Sequence, residues 1–134
     1  MGAWGADSFE NDDAADWVAD FCDAPGQVLI MNTLSAIVDL DSGEYLEAPD
    51  CSMGIAAAEV VAALKKAPNP NLSEHLKTCL SQVNIKADPK LVALALKAIE
   101  RIKTNSELKE LWDESETPDE WYQALTGLEN RLHQ

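Results

Sequence analysis

The sequence predicts an all-α fold, a single-domain bundle of about six or seven short helices over residues 1–134. Three observations carry this. Apolar residues recur at three- and four-residue intervals along the whole chain, with no strand-like alternation. Helix-starting signals, at Asn11-Asp12, Asp88-Pro89, Ser106 and Thr117-Pro118, stand directly before apolar runs. Breaks at Ala24-Pro25-Gly26, Asp41-Ser42-Gly43 and Pro68-Asn69-Pro70-Asn71 separate those runs. With 46% apolar against 25% charged residues, 134 residues can bury a core despite a net charge of −14.

The first helix runs from its cap at Asn11 or Asp12 to about Asp23. At 100° per residue, Asp12, Asp13, Asp16, Asp20 and Asp23 share one arc, and Ala14, Trp17, Val18, Phe21 and Cys22 fill the other. Pro25 suits the first turn of a second helix, whose apolar face is Val28, Leu29, Met31, Leu34, Ile37, Val38 and Leu40. Beyond the connection Tyr45-Leu46-Glu47-Ala48-Pro49, Asp50 or Ser52 caps a third helix ending before Pro68. Its alanine-rich middle, residues 55–64, predicts a central position. A fourth helix follows from the spacing of Leu72, His75, Leu76, Cys79, Leu80 and Val83. The fifth, opened by Asp88-Pro89, surrounds a narrow polar strip of Lys90, Lys97 and Arg101 with apolar residues and is expected deep in the core. Ser106 caps a short sixth helix bearing Leu108, Leu111 and Trp112, and Pro118 opens a last one with the stripe Trp121, Leu125, Leu128 and Leu132.

Charge is divided unevenly between the two halves. Thirteen acidic residues and no basic one precede Lys65, so the first 64 residues carry −13; ten basic and eleven acidic residues follow. A surface of this sign repels nucleic acid and anionic membranes, and attracts basic proteins or divalent cations. Cys22, Cys51 and Cys79 are odd in number, far apart and outside any C-x-x-C spacing, and so read as reduced, mostly buried thiols. No basic and apolar leader and no stretch long enough to span a membrane is found, which gives a cytoplasmic expectation. Met1-Gly2 is not a myristoylation site, because Ala6 stands where Ser or Thr is needed.

The opening Met1-Gly2-Ala3-Trp4-Gly5 with Phe9-Glu10-Asn11-Asp12-Asp13-Ala14-Ala15-Asp16-Trp17 resembles the start of a bacterial family, the domain of unknown function DUF4259. Tyr45-Leu46-Glu47-Ala48-Pro49, the alanine-rich block around Glu59, Ser106-Glu107-Leu108-Lys109-Glu110-Leu111-Trp112 and Trp121 resemble that family in the same order, over nearly the whole chain. The resemblance implies no activity and carries over no catalytic residue.

The residues themselves offer a candidate interaction surface of Trp4, Glu10, Asp12, Asp13, Asp16 and Asp20. Carboxylates three and four residues apart on a helix repel, and a basic protein partner or a hard cation on Asp12 and Asp16 would relieve them. The plain alternative is a solvated face whose early acids favour the helix N-terminus. Trp4 is a candidate aromatic anchor beside that face, whereas Trp17, Trp112 and Trp121 hold core positions. Glu59 is a candidate buried carboxylate, the one charged side chain between Cys51 and Lys65, and an ion pair from the Lys90, Lys97 and Arg101 strip is its expected neutraliser. Asp39-Leu40-Asp41-Ser42-Gly43 has its glycine one residue too early for a calcium loop and no Glu at position twelve, and reads as a turn. His75 and His133 have no triad or zinc spacing, and phosphate loops and dinucleotide fingerprints are absent. No catalytic, cofactor-binding or metal-binding set is therefore assigned. The expected function is a protein-interaction module for a basic partner, immunity- or antitoxin-like. The alternatives are a nucleic-acid-charge mimic and a divalent-cation-binding protein or hydrolase using the N-terminal carboxylates.

Overall fold

The computed structural model describes residues 11–70 and 72–134. Among these, seven helices follow one another: α1 (Asp12–Asp23), α2 (Gln27–Val38), α3 (Ala48–Leu64), α4 (Glu74–Ser81), α5 (Pro89–Thr104), α6 (Glu107–Asp113) and α7 (Pro118–His133). No strand accompanies them among the described residues, so the all-α expectation holds.

α3 is the element on which the others are arranged. Residues 54–62 are all buried, a helix enclosed on every side, and α1, α2, α5, α6 and α7 each pack against it. Small side chains make that possible, because Gly54, Ala56, Ala57, Ala58 and Ala62 leave room for neighbouring helices to come close. At Gly54 the room is already taken: a Cβ built there would lie 2.1 Å from Ile37 Cδ1 and 3.5 Å from Ile102 Cδ1. One cluster of buried apolar side chains draws on all seven helices, with Phe21, Ile30, Leu34, Ile99, Leu125 and Leu128 among its largest members.

The helix ends follow from local chemistry. Asn11, Ser73, Asp88 and Ser106 each cap a helix by accepting a backbone N–H three residues on. α3 starts at Ala48, earlier than a cap at Asp50 or Ser52 implies. Pro49 sits in its first turn, where no N–H is needed, and the Ala48 amide is capped from another helix by Glu107 Oε1 at 2.7 Å. Pro25 lies before the second helix, not in its first turn, since Gly26 is the N-cap. Val83 falls beyond α4. α5 buries Leu91, Ala95, Ala98, Ile99 and Ile102 along one face, while Val92, Leu94 and Leu96 are half-buried, so it borders the core and does not sit deep in it. Trp17, Trp112 and Trp121 are buried as expected, and the Trp17 indole N–H donates to Thr33 Oγ1 at 2.9 Å.

α3 ends in a Schellman turn. The Lys66 N–H donates to Ala63 O and the Ala67 N–H to Ala62 O, both at 3.0 Å, with Lys66 in the left-handed region at φ 69°. This reversal folds Ala67 and Asn69 back beside the helix they leave, and both are buried.

The cysteines correct the sequence reading. Cys22 and Cys79 form a disulfide, with Cα atoms 5.5 Å apart across a sequence separation of 57, and Cys51 alone is a free, buried thiol. The pairing has no short-range spacing to announce it. It arises because α4 lies alongside the last turn of α1.

Gly54→Ala tests the close approach to Ile37. The new methyl must displace a buried Ile37 side chain, and overpacking outweighs the helix-propensity gain of removing glycine by about 1 kcal/mol. In an Ile37→Val background, which lacks the obstructing Cδ1 atom, the same change is expected to be neutral or stabilising. Urea denaturation of the four proteins measures the coupling.

Candidate functional site

The solvent face of α1 is built by its own sequence. Asn11 accepts the Ala14 N–H at 2.8 Å and starts the helix, and burial of Ala14, Trp17, Val18 and Phe21 turns the opposite arc outward. Asp12, Asp16, Asp20 and Asp23 are exposed on that arc and Asp13 is half-buried. Trp4 and Glu10, the other candidates for this surface, lie outside the described residues. Asp12 and Asp13 sit in the first turn, where the helix dipole favours them, but Asp20 and Asp23 sit near its negative end, and the last turn holds no basic residue. Among the described residues the ion pairs are Lys77–Glu74, Lys103–Glu129, Lys109–Asp113 and Arg131–Glu59, so no α1 carboxylate takes part in one. On the next helix Val28 and Met31 are exposed apolar side chains, 70% and 42% accessible.

Glu59 is on the inner helix and 0% exposed. Its two oxygens are both engaged: Arg131 Nη1 donates to Oε1 at 2.6 Å and Nη2 to Oε2 at 3.2 Å, while Asn69 Nδ2 donates to Oε2 at 2.9 Å. This is a forked, charge-assisted pair with a third donor, the arrangement that a buried carboxylate needs. The expected partners were on the wrong helix. Lys90 and Lys97 are exposed, and Arg101 is committed to Leu40 O at 2.9 Å, Glu44 O at 2.7 Å and Asn105 O at 2.9 Å. The polar strip of α5 faces solvent and the 39–47 connection, whereas the last turn of α7 faces Glu59. Lys65 reinforces that contact by donating to the Leu132 carbonyl. Sequence reasoning missed Asn69 and Arg131. The available signal was that the chain has two arginines, and a bidentate partner for a buried carboxylate is most often arginine.

The 39–47 connection is held by side-chain and backbone groups from the second half of the chain. Besides Arg101, Asn105 donates to Ser42 O at 2.8 Å, the Glu107 N–H to Leu46 O at 2.8 Å, and the Tyr45 hydroxyl to Glu110 Oε2 at 2.9 Å. Hydrogen bonding to the Glu110 carboxylate holds the Tyr45 phenol up at about 12. Between this connection, α2 and the start of α3 lies a cleft of about 190 Å³, lined in part by Thr33, Leu40, Tyr45, Glu47, Asp50 and Met53. That is below the ~300 Å³ at which drug-sized ligands are usually enclosed, and it holds two carboxylates and no base. Cys51, nearby on α3, is enclosed, and burial pushes its thiol up from 9.0 to about 11. One group of metal-ligating side chains converges among the described residues, Cys22, His75 and Cys79.

The family model described as "Domain of unknown function (DUF4259)" matches residues 2–124, and the chain belongs to that family. The matched span includes α1, Glu59 and Asn69, and ends before Arg131. No curated protein and no solved structure matches the chain.

Two outcomes follow from these groups. Arg131→Met leaves the Glu59 carboxylate buried without its counter-charge and should cost about 3 kcal/mol or more, whereas Glu59→Met with Arg131→Met should recover most of the loss, as measured by denaturant midpoints. Stability should also fall as pH rises from about 9 to about 11. The folded state holds the Cys51 proton more tightly than the unfolded chain, so the contribution is complete below the unfolded value and lost through the folded one. Cys51→Ala should flatten part of that decline.

Proposed function

We propose that this member of the DUF4259 family is a protein-interaction module that binds a basic protein partner through the solvent face of α1, in the manner of an immunity or antitoxin-like inhibitor. Support comes from the last turn of that helix. Asp20 and Asp23 stand there against the dipole, Asp16 and Asp20 repel at four residues, and no lysine or arginine among the described residues pairs with them. A helix serving only stability would do better with neutral or basic residues in that turn. The same acids present a uniform negative face, which accelerates encounter with a positive surface and disfavours partners of like sign. Exposed Val28 and Met31 on the following helix add apolar area that such an interface can cover.

A hydrolase that uses Glu59 finds less support, because both oxygens of that carboxylate are already occupied by Arg131 and Asn69. Charge mimicry of nucleic acid uses the same face and differs in its selectivity.

The test is affinity capture from lysate followed by kinetics on the captured protein, with wild type beside an Asp16→Asn, Asp20→Asn, Asp23→Asn variant. A basic protein should be retained by wild type, with an association rate that drops about tenfold or more as salt is raised, and the variant should associate slowly at every salt concentration while melting no lower than wild type. Competition with DNA for several unrelated basic proteins would replace the inhibitor reading with charge mimicry. Association that ignores both salt and the three substitutions would overturn the proposal.

A further inference from the structure

Cys22, half-buried, stands in the last turn of α1, and His75 and Cys79 lie four residues apart on α4, a spacing that places both on one side of that helix. The Sγ atoms of Cys22 and Cys79 and a ring nitrogen of His75 all lie within 4.8 Å of one another. Tetrahedral zinc with bonds of 2.0–2.3 Å holds its ligands roughly 3.5–3.8 Å apart, so little more than side-chain rotation separates this arrangement from a coordination sphere once the sulfurs part. His75 is exposed, which leaves a fourth position open to water. Two thiolates and an imidazole are a donor set that selects zinc over magnesium or calcium. Asp20 and Asp23, exposed around Cys22 in the same turn, add a local negative field that favours a divalent cation.

We propose that Cys22, His75 and Cys79 form a zinc site in the thiol form of the protein, and that the disulfide is the metal-free alternative of the same three residues. A dithiol reductant opens the disulfide by exchange, supplying two electrons and two protons and becoming a disulfide itself, and leaves two thiols on the protein. Zinc then binds the two sulfurs and the His75 ring nitrogen, and the two thiol protons are released to solvent. Either form ties α4 to α1, so the bundle keeps this link in both redox states. The site borders the proposed partner-binding face at Asp20 and Asp23, but its three ligands are not part of that reading and it stands without it.

The experiment reduces the full chain with an immobilised phosphine, which is oxidised to its oxide with oxygen from water. The phosphine is then removed under nitrogen and the protein titrated with Co²⁺ as the spectroscopic probe. The reduced protein should bind a single equivalent, with the visible d–d bands of thiolate-ligated tetrahedral cobalt, and zinc should displace it. The oxidised protein should show no such bands. His75→Ala, a change at an exposed position, should weaken binding at least about tenfold, the scale on which even outer-shell partners of a metal ligand matter. Absence of the bands in the reduced protein, equal bands in Cys79→Ser, or an affinity indifferent to His75→Ala would each overturn the proposal.

Discussion

The carboxylate of Glu59 sits on the helix that the rest of the bundle encloses, and an uncompensated charge in such surroundings costs several kcal/mol. Much of the surrounding structure serves that one group. The Schellman turn after α3 returns Asn69 to it, and α7 ends with Arg131 forked across it. Lys65 binds the Leu132 carbonyl beside the pair, and Lys103 on α5 pairs with Glu129 one turn earlier on α7 at 2.8 Å. The position and register of α7 are therefore fixed by electrostatics at its last turn, as well as by the apolar stripe of Trp121, Leu125, Leu128 and Leu132. A hydrophobic residue at position 59 would make fewer demands on its surroundings. A charge there is satisfied only where Arg131 and Asn69 can reach both of its oxygens.

The two halves of the chain divide the charge in a way that the fold makes use of. Every basic side chain lies at Lys65 or later, and several are spent on structure: Arg131 on Glu59, Arg101 on the carbonyls of the 39–47 connection, Lys103 and Lys109 on neighbouring carboxylates. None reaches α1. The acidic face is thus left without an ion pair among the described residues, and the two arginines are held elsewhere by geometry.

Much of this architecture was legible in the sequence, and the gaps have physical causes. The amphipathic helices α1 and α7 show themselves by periodicity, and caps such as Asn11, Asp88 and Ser106 act over three residues, so a local reading finds them. α3 was read as central from its alanines, but its start was placed late because the group that caps Ala48 comes from Glu107, far along the chain. The partner of Glu59 and the union of Cys22 with Cys79 are likewise products of tertiary packing. Periodicity tells which face of a helix turns inward and is silent on which two faces meet. For α5 it also overstated burial, since α2, α3, α6 and α7 all pack against that helix and still leave Val92, Leu94 and Leu96 half-buried. The acidic face was found from composition, and the convergence of His75 with two distant cysteines was not, because half of its spacing lies in the fold.

An inner helix made of glycine and alanine has a consequence for how such a sequence can change over time. Its neighbours are as near as backbones and small side chains permit, so almost any enlargement at residues 54–58 or 62 meets a side chain with nowhere to go. Substitutions that alter the protein's surface or its charge are then tolerated more readily on the outer helices than on α3. The core acts as a template of spacing, and the exposed positions of α1, α2 and α5 carry no such constraint. A sequence built on this plan can change its surface while keeping the distances between its helices.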